Sequence, residues 1–188
     1  MKSLYTIIAC FILYNTVTSQ DLITLLQKYQ IIQYGSFKLK SGKISPYYID
    51  IRRAISYPEI FVRIKQRLAD ISNTIQYDAL CAVPYGAVPF TSVLADYVSK
   101  PLLMLRKEVK TYGMQKMIEG IYKSGDRILL IEDVISTGNS ILEAIQQLEL
   151  HGLIVQDIIV LVDRQEGGTQ YLQQFGYNVH SMIQVSDL

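Results

Sequence analysis

Residues 128–140 read ILLIEDVISTGNS. Four aliphatic residues, Ile128 to Ile131, run into two adjacent acids, Glu132 and Asp133, and then into small polar residues around Gly138. An apolar run of this kind, expected over Arg127–Ile131, fits a strand buried on both faces in the middle of a sheet. Neighbouring side chains on extended chain point to opposite sides, but a turning strand end aims both acids into one cleft. Two close carboxylates repel unless they have partners. A divalent metal or a diol would justify them, and ribose offers its 2- and 3-hydroxyls as donors. Ser136, Thr137, Gly138, Asn139 and Ser140 then lead into a helix expected over Ile141–Leu150. A helix N-terminus presents free N–H groups and a positive dipole end. With close backbone approach at Gly138 and hydroxyl donors beside it, the turn reads as a cradle for a phosphate monoester. Acid pair followed by amide nest implies a ribose 5-phosphate. The other reading is a capped helix after a strand, with both acids merely solvated. Neither a Walker loop nor a GxGxxG pattern is present.

Outward from this stretch, strands alternate with helices. Leu102–Leu105 and Ala79–Val83 are short apolar runs that end at Arg106-Lys107 and Pro84-Tyr85-Gly86. A helix follows through Phe90, Val93, Leu94 and Tyr97. Another starts at Pro58, suited to a first turn, and runs through Phe61, Ile64, Leu68 and Ile71. Asp21 is expected to cap a helix over Leu22–Tyr29, with Gly35 stopping or turning the chain. Phe37–Leu39 and Tyr47–Ile51 read as short strands about a Ser41-Gly42 turn. Toward the C-terminus, Gly152 lies past the helix Ile141–Leu150. Val155–Val162 reads as a strand broken at Asp163-Arg164, and Val179–Val185 as a last short strand. Arg106 to Gly120, with few aliphatics and several Lys, reads as a mobile excursion. The alternation predicts an α/β domain with a mainly parallel sheet and right-handed crossovers. In such sheets ligands sit beyond the carboxyl ends of the strands. Pro84-Tyr85-Gly86, Arg106-Lys107, Glu132-Asp133 and Asp163-Arg164 then converge on one rim.

A chain of 188 residues suffices for one domain with a sizeable core. With 18 Lys+Arg against 17 Asp+Glu, the formal net charge of +1 gives no bulk field for nucleic acid. Any anion site must come from local clustering. A hydrophobic fraction of 49% with 14 Tyr marks a globular chain. Cys10 and Cys81 make neither a disulfide framework nor a zinc set, and read as small buried apolar residues. Residues 1–20 stand apart from the domain expected over 21–188. They carry one Lys, an apolar run Leu4–Tyr14, and Val17-Thr18-Ser19 before Gln20. That pattern matches a secretory signal peptide over 1–19 and is too short to span a bilayer. The other reading is an N-terminal helix or arm packed on the domain or on a partner subunit.

On these residues the chain resembles the type I phosphoribosyltransferases. ILLIEDVISTGNS is similar to their phosphoribosyl-pyrophosphate (PRPP) motif of apolar strand, two acids and a T-G-x-[TS]-like turn. Three further stretches resemble orotate phosphoribosyltransferase. FKLKSGKISPYY (Phe37–Tyr48) is similar to F-x-LKSG-x-x-SP-Y, RKEVKTYG (Arg106–Gly113) to a mobile loop RKE-x-K-x-[HY]-G, and LVDRQEGG (Leu161–Gly168) to a late DR-x-E-x-G element. The pattern is nearest the orotate domain that animals carry inside bifunctional UMP synthase.

The resemblance implies a type I phosphoribosyltransferase fold with a small N-terminal hood and a mobile basic loop. It implies transfer of phosphoribose from PRPP to orotate, with Mg²⁺, yielding orotidine 5'-monophosphate and pyrophosphate in pyrimidine synthesis. Asp133, Glu132 and Lys110 are then the catalytic candidates. PRPP is expected at Lys40, Tyr85, Gly86, Arg106, Lys107 and Lys110, and along Glu132, Asp133, Val134, Ile135, Ser136, Thr137, Gly138, Asn139 and Ser140. Orotate is expected at Tyr48, Ile49, Ser136 and Arg164. The planar fork of Arg164 suits a carboxylate, the alternative being a salt bridge to Asp163 or Glu166. Mg²⁺ commonly binds through substrate phosphates, so no fixed protein ligand is expected. Lys116 and Lys123 read as solvated charges. A homodimer is implied, with loop 106–120 completing the neighbour's site.

The chain also departs from the family pattern. Gly86 follows Tyr85 where bacterial forms carry a lysine, leaving the backbone N–H groups of Tyr85-Gly86-Ala87 to substitute. Tyr112 stands where many have His, and Met114 where some have an acid. Relatives continue past Ser186-Asp187-Leu188 into one more helix. Two other readings remain: a non-catalytic PRPP-binding regulator on the same fold, and transfer to a purine. Orotate and PRPP point to the cytoplasm, residues 1–19 to secretion.

Overall fold

The computed structural model describes residues 18–38, 42, 44–107 and 116–188. Cys10, Lys40, Ser41, Lys110, Tyr112 and Met114 lie outside the described residues. Helix α1 spans Ser19–Lys28, starting earlier than its sequence suggests. Thr18 is the cap, and Asp21, expected to cap the helix, is instead its third residue. The Asp21 N–H donates to Thr18 Oγ1 and the Thr18 N–H to Asp21 Oδ2, each at 3.1 Å. This reciprocal pairing satisfies two otherwise free donors. Leu22, Ile23 and Leu26 are buried from this helix. The chain turns at Gln30, in the left-handed region at φ 54°. Gly35 does not stop the helix; it sits inside strand β1 (Ile32–Lys38), where the pairing register slips. β1 pairs antiparallel with β2 (Ile44–Ile49) to form a two-stranded ribbon. A 3₁₀ turn over Ile51–Ser56 follows, with Ile51 and Ala54 buried. Pro58 then opens α2 (Pro58–Ser72) at its first turn, as expected.

The remaining elements are β3 (Ala79–Ala82), α3 (Val88–Tyr97), β4 (Leu102–Leu105), β5 (Ile118–Glu119) and β6 (Arg127–Ile135). After them come α4 (Asn139–Leu150), β7 (Ile154–Asp163), α5 (Gly168–Gln174) and β8 (Asn178–Gln184). The six-stranded sheet runs β5-β4-β3-β6-β7-β8. It is parallel except for β5, which pairs antiparallel with β4. The expected excursion over 106–120 therefore returns to the sheet at Ile118 and Glu119. β6 is longer than expected: Glu132 and Asp133 lie within the strand, not past its end. Helix α5 was not legible in sequence, because it is seven residues long and begins at Gly168, directly after Gly167.

Strand alternation sorts the core into two layers. Leu129 and Ile131 of β6 pack with Leu22, Leu68 and Phe90 from α1, α2 and α3. Ile128 and Leu130 pack on the other face with Ile141, Ile145 and Leu148 of α4 and Leu172 of α5. Cys81 is fully buried on this second face, where burial pushes its thiol up to about 12. Among the described residues no helix is long and apolar enough to cross a membrane.

One topological detail places the site. From β3 the chain moves outward to β4, whereas from β6 it moves the opposite way to β7 and β8. The reversal opens a crevice between the carboxyl ends of β3 and β6, where doubly wound sheets bind ligands.

Candidate active site

β3 ends at Ala82, whose partner is Ile131, and the Val83 N–H still donates to Ile131 O. Beyond Ile131 only β7 borders β6, through pairs such as Glu132–Val160 and Val134–Val162. The acids thus occupy a strand edge that β3 has vacated. Both are buried, Glu132 at 5% and Asp133 at 3% exposure, so neither is a solvated surface acid. Their partners lie on opposite faces of the sheet. Ser140 at the start of α4 donates to Glu132 Oε2 at 3.3 Å, while Arg52 Nε of the 3₁₀ turn donates to Asp133 Oδ2 at 2.5 Å. The backbone N–H groups of Asp133 and Val134 donate to Glu132 Oε1 and Asp133 Oδ1.

The mutual repulsion is relieved by a proton and a cation. Burial first, then the hydrogen bond and charge of the Asp133 carboxyl, push Glu132 up to about 9. Burial opposes charge on Asp133 too, but hydrogen bonds from Glu132, Arg52 and the Val134 N–H hold it below the usual carboxylate range. Glu132 is therefore protonated and Asp133 ionised at neutral pH. The linkage has a definite sign. Glu132 keeps its proton in the folded chain and sheds it on unfolding above its ordinary 4.5, so its contribution to stability falls as pH rises from 4.5 to about 9. The melting temperature of Glu132→Gln is expected to decline less steeply than the parent's across that window in a pH series of thermal melts.

The turn after β6 is the stretch expected to cradle a phosphate. Gly138, at φ 83°, caps α4 with no side-chain cap, leaving the first-turn N–H groups unpartnered by it. Thr137, Asn139 and Ser140 are exposed, Val134 and Ser136 half-buried and Ile135 buried. Two backbone bonds tie this turn to the next one. The Arg164 N–H donates to Ile135 O at 3.0 Å and the Gly168 N–H to Ser136 O at 2.9 Å. Asp163 holds the second turn from inside, accepting from the Gln165 N–H and from Thr169 Oγ1, each at 2.7 Å. Arg164 makes the bridge to Glu166 that its sequence left open, with Nε 3.1 Å from Oε1. Its Nη2 lies 3.0 Å from the same oxygen, out of line for a hydrogen bond, and is buried without another partner. The guanidinium carbon stands 5.9 Å from the centre of the Tyr47 ring.

Tyr48 and Ile49, expected to line the orotate pocket, make other contacts. Alternation sends Tyr48 to the opposite side from Tyr47, where it stacks with Phe37 at 5.6 Å, and Ile49 packs against the core. Tyr85 is exposed, with Lys107 Nζ 5.4 Å from its ring centre. Arg106 is tied to Glu119 at 2.7 Å. A cavity of about 550 Å³ opens between the Pro84 turn, Arg106, Lys107 and the first turns of α4. Gly86 is pressed against the Asp133–Arg52 pair: a Cβ at this position would meet Asp133 Oδ2 and Arg52 Nε first. Arg52, bonded to Asp133, and Tyr47, beside Arg164, thus join the candidate site without having been expected from sequence. The available signal was the Arg52-Arg53 pair inside an otherwise apolar turn.

Comparison with known proteins agrees with this geometry. Residues 55–172 match the model of the phosphoribosyl transferase domain. An orotate phosphoribosyltransferase of Methanothermobacter thermautotrophicus is 39% identical over 168 residues, covering 89% of this chain and 92% of the relative. The chain belongs to the orotate phosphoribosyltransferase family. Its fold is that of the type I phosphoribosyltransferases, as the sequence resemblance implied. The crystal structure of orotate phosphoribosyltransferase from Aeropyrum pernix superposes with a TM-score of 0.79 at 32% identity, over 88% of this chain and 94% of that one. Uridine 5'-monophosphate synthase of Caenorhabditis elegans is 40% identical over 173 residues. That match covers 90% of this chain and 35% of the relative, so the chain spans about a third of the synthase's length.

Proposed function

We propose that the chain transfers phosphoribose from PRPP to orotate, releasing pyrophosphate and forming orotidine 5'-monophosphate for pyrimidine synthesis. One observation carries this reading. The paired backbone bonds from Arg164 and Gly168 to Ile135 and Ser136 fasten an arginine with a spare buried donor beside the phosphate cradle and the acid pair. The names of the relatives support the same substrates. In this reading the Ser136–Ser140 turn holds the 5-phosphate, and ionised Asp133 accepts a ribose hydroxyl with Glu132 beside it. Arg164 takes the orotate carboxylate as a fork. A ring nitrogen of orotate bonds to ribose C1 as the C1–O bond breaks; the electron pair leaves with pyrophosphate, and the proton of that ring nitrogen passes to the departing pyrophosphate or to water. Charge building at C1 and on the leaving group is stabilised by groups already in position.

Mg²⁺ is the proposed cofactor and would neutralise the pyrophosphate. Among the described residues no three His, Cys, Asp or Glu side chains cluster, and Asp133 is committed to Arg52. These residues fit an ion carried by the substrate's phosphate oxygens. Lys40 and Lys110 enter from family resemblance, as does a homodimer in which loop 106–120 completes the neighbour's site. The proposed compartment is the cytoplasm, where both substrates arise. A native N-terminus at Gln20 would overturn that placement.

The test is loss of orotate absorbance on mixing the chain with PRPP, Mg²⁺ and orotate. Turnover is expected, abolished by chelation and lowered by roughly 100-fold or more in Arg164→Ala and in Lys110→Ala. Tight PRPP binding without turnover would instead make the protein a PRPP-responsive regulator.

A further inference from the structure

Resting on the phosphoribosyl-transfer reading, we propose that Arg52 is the cation that receives the leaving pyrophosphate, gripping Asp133 through Nε and presenting its two Nη groups to the phosphates. Three observations carry this. Ile51 and Ala54 are buried, so the 3₁₀ turn is pinned to the core while the Arg52 side chain above it stays 67% exposed. An arginine has five N–H donors in a rigid fork. Here the bond to Asp133 is the one hydrogen bond Arg52 makes among the described residues. Both Nη groups are therefore available on the solvent side of the crevice. Thirdly, Arg52 Nε lies 2.5 Å from the point a Gly86 Cβ would occupy. The guanidinium is thus laid against the backbone of the Pro84–Ala87 turn, and the missing side chain at position 86 is what makes room for it.

The chemistry follows from that placement. Family resemblance leaves this turn short of a lysine at position 86; the charge comes instead from a distant segment. An arginine suits phosphate better than a point charge, since its planar fork meets two oxygens at once. Because the same group holds Asp133, it links the acid that takes the ribose hydroxyls to the group that departs. A cation needed solely to neutralise Asp133 would not require four outward N–H groups.

The experiment uses the full chain with Arg52→Ala and Arg52→Lys. Calorimetry with pyrophosphate and, separately, with ribose 5-phosphate is set beside steady-state kinetics in PRPP. Expected is a loss of roughly tenfold or more in pyrophosphate affinity and a matching rise in KM for PRPP in Arg52→Ala. Ribose 5-phosphate affinity should fall by less than pyrophosphate affinity, because losing the cation beside Asp133 weakens only its hold on the ribose hydroxyls, and Arg52→Lys should recover part of the pyrophosphate loss. Equal weakening of both ligands would reduce Arg52 to a clamp on Asp133 and overturn the proposal, as would unchanged pyrophosphate affinity. The two readings fail separately. A parent chain that binds pyrophosphate through Arg52 but does not consume orotate overturns the orotate assignment and supports the role of Arg52.

Discussion

Gly86→Ala is expected to lower kcat/KM for PRPP by roughly 100-fold, about 2.7 kcal/mol of transition-state binding. The melting temperature should fall as well, because the new Cβ overlaps a buried carboxylate with no room to move. The added Cβ would meet Asp133 Oδ2, Arg52 Nε at 2.5 Å and Asp133 Cγ at 2.6 Å. Asp133 cannot retreat, because it is buried in β6 and its Oδ1 is held by the Val134 N–H. Arg52 is exposed and is displaced, and the Pro84–Ala87 turn has to shift to clear the carboxylate. Asp133 would then be a buried carboxylate without its cation, and its affinity for a proton would rise. A neutral Asp133 is a poorer acceptor for a ribose hydroxyl, so activity falls together with stability. Steady-state kinetics with a thermal melt decide the matter. Activity within about threefold of the parent would show that the Gly86 contact is unimportant to the reaction.

Gly168→Ala is expected to damage stability and activity together. A Cβ at this position would meet Ser136 O at 2.6 Å, Ile135 Cγ1 at 2.7 Å and the Gly138 N at 2.9 Å. Two of those atoms are backbone, so no rotamer change relieves the clash. The turn carrying the phosphate cradle has to separate from the turn carrying Arg164, and the Gly168 N–H bond to Ser136 O is lost with it. Overpacking of this kind costs about 1–3 kcal/mol. In a chain of 188 residues that corresponds to a drop of roughly 3–10 °C in melting temperature. Calorimetric scanning reads the drop, and the KM for PRPP should rise in the same variant. An unchanged melt would mean that the two turns are not in close contact.

The central part of the fold was legible because local and global signals agreed there. Four aliphatic residues before two acids, with a glycine-bearing turn and an amphipathic helix behind them, have few other ways to fold. The same logic brought Pro84-Tyr85-Gly86, Arg106-Lys107 and Asp163-Arg164 to strand ends of one sheet, where they are found, whereas Glu132-Asp133 lie inside β6. The burial of the acids was not legible. It depends on β3 stopping at Ala82 while β6 runs on to Ile135, which is a matter of register between strands far apart in sequence. Arg52 escaped for a related reason. Locally it is one of two adjacent arginines in a short apolar turn, and its meaning comes from Asp133, 81 positions away. Tyr47 and Tyr48 are adjacent, and only the pairing of β2 decides which ring meets Arg164.

The reciprocal pairing of Thr18 and Asp21 bears on where a peptidase could trim this chain harmlessly. The stretch Val17-Thr18-Ser19 has the small residues of a processing site, yet Thr18 closes the first turn of α1 and Ser19 Oγ donates to Met182 O on β8. A cut before Gln20 would strip both from a helix whose Leu22, Ile23 and Leu26 fill the core. Losing such a cap typically costs about 1 kcal/mol. The folded unit therefore begins inside the signal-like segment, and maturation that spares it has to fall upstream of Thr18.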